Sequence, residues 1–105
     1  MVAQENTSVY AQYTVQVDLR DEVQAALKKS GIPTSVHYPT LLSQQPALRR
    51  VHSRSSHSWQ TPLAQSASER VISLPMHPWL SDEDQDLVVN SLVSAIQNTS
   101  ISVAA

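Results

Sequence analysis

The hydrophobic pattern of residues 9 to 31 changes period once, and that change constrains the fold more than any other feature of the chain. Val9, Ala11, Tyr13, Val15 and Val17 alternate with Tyr10, Gln12, Thr14 and Gln16. A period of two is that of a half-buried strand. From Asp18 onward the spacing becomes helical, with Leu19, Val23, Ala26 and Leu27 on one face. Asp18 is placed to cap this helix, and Asp21 stands at its third position. Lys28 and Lys29 fall in the last turn, where cations suit the helix dipole. Gly31 supplies a left-handed stop. A strand that runs directly into a well-ended helix points to a mixed α/β architecture.

The rest of the chain extends that order. Ile32 to Tyr38 reads as a second strand with Ile32, Val36 and Tyr38 on one face, and Pro33 confines it to an edge or a strand start. Leu41, Leu42, Ala47, Leu48 and Val51 suit a short helix or an ordered loop, and Ser53 to Ser58 suits a mobile one. Thr61-Pro62 marks a helix start, from which Leu63, Ala64 and Ala67 are expected to face inward. Val71 to Leu74 is a short third strand ended by Pro75. Ser81, with Asp84 three residues on, resembles a capping box. The helix that follows buries Leu87, Val88, Leu92, Ala95 and Ile96 and is expected to fade near Asn98. The predicted fold class is therefore α/β (α+β): a small, mostly antiparallel or mixed three-stranded sheet with helices packed on one face. Residues 9–97 form the expected domain, with disordered tails at 1–8 and 98–105.

Composition narrows the chemistry. The chain has 105 residues, a net charge of −2, one glycine and no cysteine. That length suits one domain burying roughly 65% of its unfolded surface. Without cysteine there is no thiol catalysis, thiolate metal site or disulfide. The charge balance argues against a nucleic-acid partner. No apolar run approaches the length of a membrane span, and Met1 to Ser8 lack the features of a signal peptide. A cytoplasmic location without membrane contact is expected, and the triplets at Asn6 and Asn98 are expected to stay unglycosylated.

Few residues carry a chemical signal. His37 and Tyr38 lie in Gly31-Ile32-Pro33-Thr34-Ser35-Val36-His37-Tyr38-Pro39, where prolines and small residues surround a short apolar run. The pair suits either a binding surface at a strand end or plain strand-end packing. His77, between Met76 and Pro78, reads as a turn histidine. His37, His52, His57 and His77 lack ligand spacing for zinc, so no metal is expected. The run Arg49 to His57 holds three arginines and no aromatic, which favours a solvated loop. Asp82 to Asp86 crowd a helix start and are better explained by capping than by catalysis. No glycine-framed serine elbow or phosphate loop is present. Tyr10, Trp59 and Trp79 read as packing residues, one or two of them free to form an apolar patch that invites self-association.

Several motifs occur together and in order: Ser8 to Val15, Arg20-Asp21-Glu22-Val23, Gly31-Ile32-Pro33-Thr34 through His37-Tyr38-Pro39, Gln45-Pro46-Ala47, Glu69 through Pro78, and Leu80-Ser81. From about Ser8 to Ile96 the chain resembles the carboxy-terminal small domain of the DegT/DnrJ/EryC1/StrS aminotransferases. Those enzymes use pyridoxal phosphate to put an amino group, commonly from glutamate, on keto sugars of sugar nucleotides in polysaccharide or amino-sugar biosynthesis. The resemblance implies the small-domain fold of fold-type I aminotransferases. It also implies that the Schiff-base lysine and the carboxylate facing the pyridine nitrogen belong to a large domain, or to a second subunit, outside these residues. On that reading no catalytic or cofactor-binding residue lies in this chain, which is expected to be inactive alone, and a homodimer is a further expectation. His37 and Tyr38 correspond to positions near the sugar nucleotide and are the expected substrate-binding residues. Arg49 to Ser58 and Ala64 to Ser68 depart from the family pattern. The alternative reading is a stand-alone, non-catalytic binding or interaction module that reuses the fold.

Overall fold

A computed structural model describes residues 3–48 and 60–103. In chain order the elements are strand β1 (Tyr13–Gln16), helix α1 (Arg20–Lys29), a 3-10 turn (Leu42–Gln44), helix α2 (Pro62–Arg70), strand β2 (Val71–Leu74) and helix α3 (Asp82–Val103). A further helical turn occupies residues 46–48. β1 and β2 pair antiparallel, with Tyr13 opposite Leu74 and Gln16 opposite Val71. α1 packs on α3 and β2, and α2 on β1. The mixed architecture with a small antiparallel sheet is the one expected, but among the described residues it has two strands in place of three.

The missing strand is the Ile32 to Tyr38 segment. It meets β2 at a single bridge, Ser35 to Ser73. Its first residues are already committed to ending α1. Gly31 adopts φ +77°, its N–H donates to Lys28 O at 3.1 Å, and Ile32 N–H donates to Leu27 O at 2.9 Å. That pair of bonds is a Schellman stop, and the accompanying contact joins Leu27 and Ile32, both buried. Pro33 then has no N–H to offer a ladder. The stop at Gly31 and the second strand were thus competing uses of the same residues.

β1 is shorter than the alternation suggests. Tyr10 takes a positive φ of 47°, which breaks the extended chain before Tyr13, and Val9 is 81% exposed. The period of two holds only further on, where Val15 is half-buried and Val17 buried. α1 starts after Leu19, itself left-handed at φ 51°, with no side-chain cap. Asp18 therefore does not cap it; its carboxylate instead sits 2.9 Å from Arg70 Nε, off the N–H axis, as a charge contact rather than a hydrogen bond.

Ser81 does cap α3, its Oγ accepting from Asp84 N–H at 3.1 Å. α3 runs on to Val103, past Asn98 where its end was expected. Thr61 and Pro62 do begin α2, although the Thr61 side chain makes no cap bond. Within α2 the inward residue is Ser68, while Leu63 is 87% exposed, because the helix turns its serine-bearing face to the core.

The core consists of Val17, Val23, Leu27, Ile32, Ile72, Val88 and Ala95, with Val15, Ala26, Leu74, Leu92 and Ile96 packed around it. Leu87, expected inside, is 55% exposed. Trp79, read as a packing residue, is 84% exposed. Trp59, Val51, the arginine run from Arg49 and the serine-rich stretch to Ser58 lie outside the described residues. No helix of the described residues is long and apolar enough to cross a membrane.

Candidate functional site

His37 and Tyr38 are held where two connections to β2 meet. Ser35 and Ser73 exchange both backbone bonds, Ser35 N–H to Ser73 O at 3.1 Å and Ser73 N–H to Ser35 O at 2.7 Å. This clamp fixes the chain two residues before His37. Pro39 then limits the backbone that follows. Both side chains are exposed, Tyr38 to 76%. Their rings lie edge to face with centroids 5.6 Å apart and planes at 73°, a favourable geometry for adjacent aromatic quadrupoles.

The pair borders an open groove of about 500 Å³. His37, Tyr38, Pro39 and Leu41 form one wall, and Ala64, Ala67 and Ser68 of α2 form the other. The small side chains of α2 leave the width. The 3-10 turn is tied to α2 by a bond from Gln44 Nε2 to Gln65 Oε1 at 2.7 Å, and Gln65 Nε2 in turn donates to Glu69 Oε1 at 2.5 Å. α2 itself is anchored from α1: the guanidinium of Arg20, 9% exposed, donates to Ser68 O at 3.4 Å and to Val71 O at 3.3 Å.

His37 also faces a second groove of about 420 Å³, shared with Gln12, Ser73, Met76 and His77. His77 does make the expected turn, its carbonyl accepting from Leu80 N–H at 3.1 Å, but its exposed ring lines the same groove as His37. The two proline- and histidine-bearing segments, far apart in the chain, thus share one surface. Reading residue by residue missed the α2 wall. The serine-rich stretch from Ala64 to Ser68 was visible, but nothing in it said what it faced.

The site can donate and accept hydrogen bonds through an imidazole, a phenol and nearby hydroxyls. It does not suit a pyridoxal phosphate. Lys28 and Lys29, the two lysines of the chain, are exposed at the end of α1 and line neither groove beside His37. A Schiff-base lysine instead needs an enclosed, desolvated position. Among the described residues no cluster of three or more His, Asp or Glu side chains could hold a metal; His52 and His57 lie outside them. The acids Asp82, Glu83 and Asp84 are exposed in the first turn of α3, in keeping with a capping and dipole role.

Residues 1–93 match the sequence profile of the DegT/DnrJ/EryC1/StrS aminotransferase family. The chain belongs to this family. It is 43% identical over 89 residues to a UDP-2-acetamido-2-deoxy-3-oxo-D-glucuronate aminotransferase of Pseudomonas aeruginosa, covering 85% of this chain and 23% of that protein. It is 39% identical over 75 residues, 71% of this chain and 19% of the relative, to a UDP-N-acetyl-3-dehydro-alpha-D-glucosamine 3-aminotransferase of Acidithiobacillus ferrooxidans. The crystal structure of a DegT/DnrJ/EryC1/StrS aminotransferase from Brucella abortus superposes with a TM-score of 0.76 at 32% identity, over 91% of this chain and 25% of that one. The chain therefore spans about a quarter of the length of these family members. The aminotransferase resemblance drawn from the motifs is confirmed.

Proposed function

We propose that these residues are the carboxy-terminal small domain of a pyridoxal-phosphate-dependent sugar-nucleotide aminotransferase, and that they bind and orient the sugar rather than carry out transamination. The carrying observation is the exposed His37–Tyr38 pair at the mouth of a groove walled by the small residues of α2. Imidazole and phenol both bond to hydroxyl and diphosphate oxygens. The names of two relatives, both aminotransferases of UDP-linked oxo sugars, support a sugar nucleotide as the substrate class. The cofactor, when bound, supplies the electron sink for amino transfer from an amino acid to a keto sugar. Its lysine and its phosphate cradle come from a large domain or a second subunit. The described residues contribute recognition, with His37 and Tyr38 aimed by the Ser35–Ser73 clamp.

The test is a chimera of the P. aeruginosa relative whose matching segment is replaced by the corresponding residues of this chain. The chimera is expected to aminate its keto sugar. His37→Ala or Tyr38→Phe in it each lowers kcat/KM about tenfold, the cost of one lost substrate hydrogen bond. Unchanged kcat/KM in both variants would remove the substrate role.

A further inference from the structure

We infer that Arg20 is a positioning residue for the groove beside His37, holding the α2 wall in register with the wall that carries His37 and Tyr38. The inference rests on the substrate reading above and adds to it a residue that does not touch the groove. Arg20 is absent from the lining, and its side chain is 9% exposed. The two carbonyls that its Nη1 reaches belong to Ser68, at 3.4 Å, and Val71, at 3.3 Å. Both of those residues line the groove. One cation thus holds two points of a surface from behind.

Little else holds α2. The apolar core takes no side chain from it, and Ser68 is its one buried residue. A helix that lends no apolar face to a core takes its position from polar ties instead. Those from side chains are the exposed bond of Gln44 to Gln65, the charge contact of Arg70 with Asp18, and the bonds from Arg20. The bond of Arg20 to Ser68 O is the buried one among them, and a charged donor is strongest out of water. The same guanidinium also registers the opposite wall. Alternate residues of an antiparallel strand direct their backbone groups to the same side. Ser73 gives its N–H and C=O to Ser35, so Val71, two residues earlier, turns its carbonyl to that edge and meets Arg20 there. Arg20 and the clamp that aims His37 therefore stand on one edge of β2, about 7 Å apart along the strand. The core of α1, β2 and α3 residues does not need this contact, so losing it releases the α2 wall while the core stays in place.

Arg20→Met keeps the aliphatic stem and removes the donors, and Arg20→Lys is the milder variant. In the full chain, backbone relaxation by NMR should show the order parameters of Ala64 to Ser68 falling in Arg20→Met from the rigid range, about 0.85, towards about 0.6. Those of Val23, Leu27 and Val88 should hold. In the chimera described above, Arg20→Met should raise KM for the keto sugar about tenfold with kcat within about twofold, the pattern of lost ground-state binding. KM for the amino donor should not move, and Arg20→Lys should recover part of the loss. Ser81→Ala removes stability away from the groove and should leave KM for the keto sugar unchanged. An equal rise in Ser81→Ala overturns the inference, as do unchanged order parameters in α2. So does an unmoved KM in Arg20→Met while His37→Ala or Tyr38→Phe lowers kcat/KM, a result that leaves the substrate reading standing. Unchanged kcat/KM in both of the latter variants removes that reading instead, and the order parameters then decide whether Arg20 sets the wall.

Discussion

Arg20 is the buried charge of the described chain, and its guanidinium is consumed in structure. Beyond its 2.5 Å contact with Asp21, it donates to two carbonyls at the junction of α2 and β2. Those carbonyls would otherwise lack intrahelical partners at a helix end. Arg20→Ala leaves them unsatisfied beside an emptied site and should cost about 2–3 kcal/mol, measured by urea denaturation at neutral pH. Arg20→Lys should recover only part of this, because one ammonium does not reproduce the fork of a guanidinium. A loss below about 0.5 kcal/mol for Arg20→Ala would show that the contact is solvent-screened. Ser73 plays a comparable part without charge: its backbone serves Ser35 and its hydroxyl meets Thr14. One buried serine thus ties three separate stretches of chain together.

At the scale of elements, the two ends of the helices are governed by different devices. α1 is closed by a glycine in the left-handed region and opened without any side-chain cap. α3 is opened by Ser81 and carries Asp82, Glu83 and Asp84 against its positive end. Because α3 delivers Val88 and Ala95 to the core, the cap bears on the stability of the fold. Ser81→Ala should lower the unfolding free energy by about 1 kcal/mol, and Ser81→Asp should retain most of it. A null result in the alanine variant would indicate that packing of α3 against α1 alone holds its first turn. The groove beside His37 is likewise an element-scale feature. It exists because α2 offers alanine and serine where a larger residue would fill the space.

For the whole molecule, the decisive point is what these residues do not enclose. Both lysines sit in solvent on α1. The residues that carry the substrate reading are exposed at an open groove rather than sealed in a pocket. With pyridoxal phosphate and borohydride, the isolated chain should show only weak, non-selective labelling of Lys28 and Lys29, and no amino transfer from glutamate. Peptide mass spectrometry after reduction provides the measurement. Stoichiometric labelling of one lysine with accompanying activity would overturn the assignment of catalysis to a separate large domain.

Local codes were legible from the residues themselves. The helix ended by Gly31, the cap at Ser81, the helix start at Pro62 and the strand from Val71 depend on interactions within a few positions of the chain. So did the family, through spaced motifs that stand in order. The candidate pair His37 and Tyr38 was visible too, as residues at the end of a short apolar run. What remained hidden was settled by competition between distant segments. Ile32 had to choose between ending α1 and starting a strand, and Asp18 between capping α1 and facing Arg70. Ser68 was drawn inward while Leu63 stayed outside. The α2 wall of the groove arises only in the assembled fold, and the shared surface of His37 and His77 only once β2 lies between β1 and Ser35. Sequence periodicity reports which face of an element is apolar, whereas only assembly decides which other element that face, or that edge, will meet.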